Sequence, residues 1–325
     1  MFRELAPETE YDKELGFGSK LPKHQTPRSE HIIMKPRLYN LLLLILFCMV
    51  FITGCGQETG TKVIEKDAGY KQWSKDGKSL FYQKDSRGKI CRYDISTGKK
   101  RFYKLPHKPY VFDVSPDGKS VVYPVEENGI YITELETGRT RKVFSSNKRI
   151  LLIWWLYTGD ILFPAERHSG NPDTYVIPSS GHAPTKFLDN AVPLFCSLDG
   201  NSFIYQDLEE RIYLYDMKKK TGKSLNIISP EEFKGGMPDE FQFLYLDNHK
   251  AAFVLYTNPK AKFYSLDLAT MCAKQFELPD SANDMRISPD LTHYWWTRPE
   301  HQDTTDVKMY LVDIPLETAK KIGNP

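Results

Sequence analysis

The sequence contains little cysteine, with 5 residues in 325. Cys48 and Cys55 lie close to the N-terminus, so only Cys91, Cys196 and Cys272 are spread over the rest of the chain. Three thiols cannot all pair with one another, and their spacing fits no metal site, which excludes a disulfide scaffold and a cysteine-ligated metal centre. We therefore expect these three cysteines to be buried and to pack as small apolar residues.

The sequence also lacks an excess of charge of either sign. Its 44 Lys and Arg residues against 42 Asp and Glu residues give a formal net charge of +2. Without residues 1–54 the formal net charge is close to +1. A basic surface of the kind that binds nucleic acid is not indicated, and we expect no nucleic-acid partner.

Several motifs for catalysis or cofactor binding are missing. There is no G-x-S-x-G sequence, which excludes a serine hydrolase of that type, and no His-x-x-x-His pair. Gly-Lys-Ser occurs at 77–79, 118–120 and 222–224, but none of the three has the earlier glycine that a phosphate-binding loop requires. We interpret these tripeptides as hairpin turns. The sequence predicts no catalytic residue, no cofactor and no metal.

The longest hydrophobic run is too short to cross a membrane comfortably. Residues 41–52 (LLLLILFCMVFI) are 12 consecutive apolar residues, whereas a transmembrane helix needs roughly 20. The run follows Lys35 and Arg37 and ends in Ile-Thr-Gly-Cys at 52–55. A positive segment, a short apolar core and small residues before a cleavage site are typical of a signal peptide.

The Ile-Thr-Gly-Cys sequence resembles the lipobox of bacterial lipoproteins, in which the cysteine is lipidated and becomes the new N-terminus. The resemblance implies that Cys55 carries acyl chains that anchor an exported domain to a bacterial membrane. Met34 is the natural start of this signal, so we interpret residues 1–33 as a non-native extension and residues 34–54 as the signal peptide. The alternatives are an ordinary cleaved signal with a chance cysteine and a short transmembrane anchor.

Six similar segments follow. The copies are QWSKDGKSLFY at 72–82, FDVSPDGKSVVY at 112–123, WWLYTGDILF at 154–163, FCSLDGNSFIY at 195–205, FLYLDNHKAAFV at 243–254 and MRISPDLTHYWW at 285–296. Alignment gives spacings of 41, 42, 40, 48 and 43 residues between Ser74, Ser115, Tyr157, Ser197, Tyr245 and Ser288. The Asp-Gly pairs that begin at residues 76, 117 and 199 predict a hairpin turn.

Each copy also contains a second signature, an alternating strand followed by a tight turn. Glycine, for which a positive φ is least costly, marks this turn at Gly98, Gly138, Gly181 and Gly222, whereas Met271 and Ala319 replace it. Acidic residues recur at one strand position before the turn, namely Asp94, Glu134, Asp216, Asp267 and Asp313. Recurrence favours a turn-capping role over a catalytic or calcium site.

Four short strands per copy and this repeat length predict a β-propeller, in which each sheet packs its apolar face on the next. The predicted fold class is all-β, a six-bladed β-propeller of four-stranded antiparallel blades over residues 69–325. Residues 55–68 would supply the lipidated cysteine, a tether and a candidate closing strand. The segment ETGTKVIEKD at 58–67 and the segment ETAKKIG at 317–323 both qualify as the strand that completes the last blade.

The Ser-Pro-Asp-Gly-Lys core, followed by apolar residues and tyrosine, resembles the propeller repeat of TolB and of the N-terminal propellers of prolyl-oligopeptidase relatives. The resemblance covers most of residues 70–325 and implies the fold, because the repeated residues form turns and packing contacts. We expect neither an additional domain of the TolB type nor a hydrolase domain. Pal binding and peptidase activity are therefore not implied.

Binding residues in propellers are expected on loops, because the blades are scaffold. Long loops at 166–173 and 298–307 and an insertion at 229–240 are predicted to project from one face. We predict a polar groove across this face, with rim residues Arg167, His168, Asp173, Glu231, Glu232, Arg298, His301 and Asp303. The alternative is that these are solvated loops without a binding role. Of each tryptophan pair, 154–155 and 295–296, at least one member is expected in the core and the other is a candidate ligand surface.

The first functional hypothesis is a membrane-anchored envelope lipoprotein whose propeller binds or scaffolds an unidentified protein or glycan without catalysis. The alternative is a carbohydrate- or peptide-active lyase or hydrolase, with His168 or His301 as the acid–base group. A structural assembly subunit is the third hypothesis. Gly56 provides no inner-membrane retention signal of the aspartate type, which favours an outer-membrane or periplasm-facing location where the cell has two membranes.

Overall fold

The computed structural model describes the chain from residue 61 onward, with short gaps. The described ranges are 61–84, 88–126, 129–146, 149–166, 172–197, 199–227, 233, 241–256, 261–278, 284–299 and 307–323. All of them belong to one compact unit, Gln57–Pro325. None of the helices in these ranges is long and apolar enough to cross a membrane. The extension, the signal peptide and the lipidation site at Cys55 lie outside the described residues and stay predictions.

Within the described ranges, 24 strands form six four-stranded antiparallel sheets. The strands are β1 (Lys62–Lys66), β2 (Ala68–Trp73), β3 (Ser79–Lys84), β4 (Lys89–Asp94), β5 (Lys100–Lys104), β6 (Asp113–Val114), β7 (Ser120–Val125), β8 (Gly129–Glu134), β9 (Thr140–Phe144), β10 (Trp154–Trp155), β11 (Asp160–Glu166), β12 (Pro172–Pro178), β13 (Thr185–Leu188), β14 (Ala191–Cys196), β15 (Ser202–Asp207), β16 (Ile212–Asp216), β17 (Thr221–Ser224), β18 (Phe241–Leu246), β19 (Lys250–Leu255), β20 (Lys262–Asp267), β21 (Ala273–Phe276), β22 (Met285–Ile287), β23 (His293–Pro299) and β24 (Val307–Asp313). Consecutive strands form the first five blades, from β2–β5 to β18–β21. Each blade packs on the next and the sixth packs on the first, which confirms the predicted six-bladed propeller.

The N-terminal strand closes the ring. β1 pairs antiparallel with β24, with Lys62 opposite Leu311, and so completes the sixth blade as its outer strand. The competing segment at 317–323 lies instead in helix α1 (Leu316–Gly323). Of the two candidate closing segments, the one at 58–67 therefore supplies the closing strand.

Burial decreases from the inner strands to the outer strands of a blade. All six residues of the inner strand β19 (KAAFVL) are buried, whereas the outer strand β5 (KRFYK) buries only Tyr103. Inner strands are covered on both faces by neighbouring blades, which requires continuous apolar sequence. Both members of each tryptophan pair, 154–155 and 295–296, are less than 9% exposed and lie in this core.

A serine–aspartate turn joins the first and second strands of four blades. In blade one the Ser74 hydroxyl donates to Asp76 Oδ1 at 2.7 Å and accepts from the Ser79 amide at 2.9 Å, while Gly77 has a φ of 72°. The same bonds recur in the turns that begin at Ser115, Ser197 and Ser288. The repeated sequence thus encodes a local turn, as predicted.

These turns also correct the alignment of the repeats. A backbone hydrogen bond closes each turn. Its N–H donor is Ser74 in blade one, Leu156 in blade three and Asp247 in blade five. The equivalent residues are therefore not Tyr157 and Tyr245. Aligned on these donors, successive turns begin 41, 41, 41, 50 and 41 residues apart. The sequence alignment missed this regular spacing because the turns of blades three and five are shorter than the others. The interval of 50 residues contains the insertion between blades four and five.

The turn between the third and fourth strands agrees with the capping prediction in three blades. Backbone amides two or three residues further along donate to the carboxylates of Asp94, Asp216 and Asp267. Asp313 makes a different contact, at 3.2 Å from His293. In this turn of blade four the residue with positive φ is Lys220, at 55°, and Gly222 lies inside β17. The prediction that Gly222 forms the turn was wrong, because the turn closes two residues earlier.

Candidate ligand-binding site

Most of the predicted rim residues lie outside the described residues. These are Arg167, His168, Glu231, Glu232, His301 and Asp303, and for Arg298 only the backbone is described, as part of β23. The remaining one, Asp173, is 2% exposed in β12, and its carboxylate accepts a hydrogen bond from the Asn190 amide at 3.1 Å. This bond holds Asp173 against the segment that enters blade four. The groove itself stays a prediction.

A cavity of about 450 Å³ lies on the face where β23 ends and β24 begins, which is the face predicted to carry the loop at 298–307. Its polar and aromatic lining comprises Tyr70, Lys71, Tyr110, Asp284, Arg286, Trp295 and Thr297. The cavity touches the beginnings of β2, β22 and β24 and the end of β23, and these strand ends share one face of the propeller. The first strands of blades one and six therefore position the site, next to the predicted loop.

An ion pair and an indole form one wall of the cavity. Lys71 Nζ lies 2.9 Å from Asp284 Oδ2 and 5.0 Å from the ring centroid of Trp295. Trp295 is 2% exposed, and none of the described residues accepts a hydrogen bond from its Nε1–H. Trp295 thus contributes its aromatic ring to the wall of the site, beside the ammonium group of Lys71.

Arg286 carries the second positive charge. Its guanidinium lies 5.5 Å from the ring centroid of Phe195 and donates to the amide oxygen of Gln242. The nitrogen of that amide donates to Tyr256 Oη at 2.6 Å, an orientation assigned from this network. These contacts reach from blade six to blades four and five, so the guanidinium is fixed from two sides.

The tyrosine hydroxyls near the charges stay protonated. Burial raises the pKa of Tyr70 to about 12, and burial likewise raises the pKa of Tyr256 to about 12. A general base works best with a pKa near the working pH. These two hydroxyls are therefore suited to hydrogen bonding and not to proton abstraction.

Comparisons with known proteins give structural relatives only. No family model matches the sequence, and no curated protein matches it. A putative TolB from Agrobacterium tumefaciens matches with a TM-score of 0.52 at 14% identity, over 78% of this chain and 94% of that one. An oligogalacturonate lyase in complex with manganese matches with a TM-score of 0.52 at 16% identity, over 76% and 77% of the two chains. The chain has a TolB-like propeller fold. At these identities the likeness shows the fold alone.

The net charge of the site in this TolB-like propeller is positive. Lys71 and Arg286 carry two positive charges, and among the described lining residues Asp284 carries one negative charge. The arrangement favours an anionic group such as a carboxylate, because charge-assisted hydrogen bonds are the strongest. In the described part of the chain no three His, Cys, Asp or Glu residues cluster as metal ligands would.

Sequence reasoning missed most of this TolB-like site. The pair at 295–296 is predicted to have at least one member in the core and the other as a candidate ligand surface, whereas both members are buried and Trp295 also lines the cavity. Lys71 and Arg286 were not predicted. Each lies in the first strand of a blade, two or three positions before the repeated turn in the sequence. A repeat alignment highlights positions at which one residue type recurs. The lysine at 71 and the arginine at 286 do not recur in the other blades.

Proposed function

We propose that this protein is a lipid-anchored envelope lipoprotein whose propeller binds a protein or glycan partner without catalysis. The cavity of Lys71, Arg286 and Trp295 is the observation that carries the binding role, because two cations and an aromatic ring line one space with one carboxylate among the described lining residues. A carboxylate of the partner would offset the net positive charge. The partner is therefore expected to present an acidic group to this face.

The geometry favours binding over turnover. Asp284 is the carboxylate among the described lining residues, and its 2.9 Å contact with Lys71 holds it in an ion pair. Acid–base catalysis needs a group within hydrogen-bond reach of the proton that it transfers, with a suitable pKa, and Tyr70 does not meet the second condition. The lyase or hydrolase hypothesis depends on His168 and His301, outside the described residues, and stays a prediction.

The position of β1 supports the proposed anchor. Strand β1 begins at Lys62, seven residues after Cys55. An extended segment of this length spans about 20 Å at roughly 3.3 Å per residue. A lipidated Cys55 would therefore keep the propeller within about one domain radius of the membrane surface.

In-cell photocrosslinking tests the proposal. A photoreactive residue replaces Val307, which lines the cavity, or Lys99, which is exposed on the opposite face. The expected result is one envelope protein captured from position 307 only, lost in Arg286→Gln and kept in the charge-matched Arg211→Gln. Cys55→Ala should release the protein from the membrane and abolish capture.

A glycan partner would give a different result. The purified full-length protein would then bind acidic oligosaccharides in calorimetric titrations, with weaker affinity in Arg286→Gln than in Arg211→Gln. The proposal fails if wild type captures nothing and binds no acidic glycan, if Arg286→Gln behaves as wild type in both assays, or if the protein degrades the glycan that it binds.

A further inference from the structure

The outer strands of the six blades are strongly basic. Among the described residues, these six strands (β1, β5, β9, β13, β17 and β21) contain ten Lys or Arg residues and one acidic residue, Glu65. The chain as a whole is nearly balanced, with 44 basic and 42 acidic residues. Positive charge is therefore concentrated on the rim of the propeller.

The charge is distributed unevenly around this rim. The three neighbouring strands β9, β5 and β1, of blades two, one and six, contain seven of the ten basic residues. Strand β5 (KRFYK) alone contains Lys100, Arg101 and Lys104, and Phe102 in its middle is 52% exposed. Blade one thus presents a basic outer strand with an exposed aromatic side chain at its centre.

Protection of an exposed sheet edge does not explain β5. Lysine on an edge strand discourages pairing with other chains, and the outer strands of blades three, four and five have one lysine each. An exposed phenylalanine in the same strand has the opposite effect, because a large apolar side chain on an edge promotes association. Cations together with an exposed aromatic ring are instead typical of surfaces that lie at a membrane interface.

We propose that β5 docks on the surface of an anionic lipid membrane, with Arg101 and Lys104 at the headgroups and Phe102 at the boundary with the acyl chains. Lysine and arginine near an anionic surface are attracted to it, and the aromatic ring adds burial of apolar area. Arg101 also forms an ion pair with Glu136 of blade two, but both side chains are at least 49% exposed. An exposed pair of this kind is weak, so it leaves Arg101 at the surface.

The proposed lipid anchor places β5 next to the membrane, and the inference rests on that anchor. Lys100 Nζ donates to the Ile64 carbonyl at 2.6 Å and lies 3.0 Å from Glu65 Oε2, so β5 lies beside β1. Strand β1 begins seven residues after Cys55, a span of about 20 Å when extended. A propeller of this size is roughly 45 Å across. The tether therefore favours contact through blades one and six over contact through blade four, on the opposite side of the ring.

Tryptophan fluorescence tests this contact. The five native tryptophans are each less than 9% exposed, so brominated lipids should quench only a tryptophan introduced at the membrane. Phe102→Trp is compared with Leu208→Trp, which replaces a residue of similar exposure, 50%, directly after β15 in blade four. The acylated full-length protein is reconstituted into vesicles of brominated phosphatidylcholine with or without phosphatidylglycerol. We expect quenching of Phe102→Trp, and not of Leu208→Trp, in the vesicles that contain phosphatidylglycerol.

Arg101→Gln/Lys104→Gln, introduced together with Phe102→Trp, measures the role of charge. The quenched fraction gives the ratio of docked to undocked protein. Each lysine or arginine near an anionic surface raises this ratio about fivefold, so removal of both charges should lower it about 30-fold. Lys218→Gln/Lys219→Gln removes two exposed charges from blade four and should leave the ratio unchanged. Sodium chloride at about 1 M should lower the ratio, because it screens charges beyond about 3 Å.

Mass spectrometry of the N-terminal peptide separates failure of this inference from failure of the proposed function. A chain without acyl groups at Cys55 would overturn both. The docking surface alone is overturned if acylated Phe102→Trp is quenched no more than Leu208→Trp in phosphatidylglycerol vesicles, which would leave an acidic protein as the alternative occupant of β5. Equal quenching in pure phosphatidylcholine, or an unchanged ratio in Arg101→Gln/Lys104→Gln, would also overturn it, because the charges would then have no role.

Discussion

The carboxylate of Asp113 lies 3.1 Å from the ammonium group of Lys75, and the two side chains are 1% and 8% exposed. Lys75 belongs to blade one and Asp113 to the first strand of blade two. The same carboxylate accepts hydrogen bonds from Gln72 Nε2 at 3.0 Å and from the Trp155 amide of blade three at 2.6 Å. One buried carboxylate therefore joins three consecutive blades.

Replacing Asp113 with asparagine should destabilise the propeller strongly. The substitution keeps the shape but removes the charge, so the Lys75 ammonium stays buried without its counter-ion. Breaking such a pair costs about 3–5 kcal/mol. Urea denaturation should show this loss, whereas Asp94→Asn, in an exposed turn, should cost less than about 1 kcal/mol. An unchanged unfolding midpoint for Asp113→Asn would contradict the bridging role.

The closing strand should make stability depend on pH through Glu65. Burial raises the pKa of its carboxyl, but hydrogen bonds from Lys84 Nζ, Lys100 Nζ and Tyr82 Oη outweigh burial and lower the pKa from 4.5 to about 2. Because the folded state holds Glu65 ionised, its contribution is complete above pH 4.5 and is lost as the pH falls from 4.5 to about 2.

Glu65→Gln tests this dependence. The variant should be less stable than wild type by about 2 kcal/mol at neutral pH, since hydrogen bonds to a charged group are lost. The difference should shrink as the pH falls below 4.5. Urea denaturation at a series of pH values measures the free energy of unfolding of both proteins. If the two curves of free energy against pH ran parallel, the ionised Glu65 would not stabilise the closure of the ring.

Two glycines with one backbone conformation should differ in their tolerance of alanine. Gly138 and Gly200 both have a φ of 69°. A Cβ at Gly138 would meet nothing within 4 Å, whereas a Cβ at Gly200 would lie 2.4 Å from the Tyr157 nitrogen. Gly138→Ala should therefore cost only the backbone strain, about 1 kcal/mol, and Gly200→Ala about 2–4 kcal/mol because blade three must also move. Equal losses in thermal unfolding would show that steric contact between the blades is unimportant.

The fold could be predicted from the sequence because its information is local. The Ser74 turn is specified by residues within five positions of one another, and the same turn recurs in other blades. The candidate site could not be predicted in this way. Lys71 and Asp284 are separated by 213 residues and become neighbours only when β1 closes the ring. The rim residues were predicted from the lengths of loops, which the repeat does not specify, and of these residues the structure describes Asp173 in β12 and the backbone of Arg298 in β23.

The buried thiols should report the stability of the ring. Burial raises the pKa of Cys196 to about 12 and also raises the pKa of Cys91, so neither thiol reacts as thiolate while the blades stay packed. Alkylation of Cys91 and Cys196 requires that the packed blades open. When the blades close again faster than the reagent reacts, the alkylation rate follows the population of the open state. A loss of about 3 kcal/mol in Asp113→Asn should accelerate alkylation of Cys196 by about 100-fold.

Cys272 provides the internal reference for this measurement. It is partly exposed in the folded state, because it lies directly before the outer strand β21, so the expectation that all three cysteines are buried was wrong for Cys272. Its alkylation should therefore be unchanged in Asp113→Asn. Peptide mass spectrometry follows the three cysteines in one sample. If Cys196 reacted as fast as Cys272 in the native wild type, blade four would open locally without loss of the ring, and the Asp113 bridge would not control access to that blade.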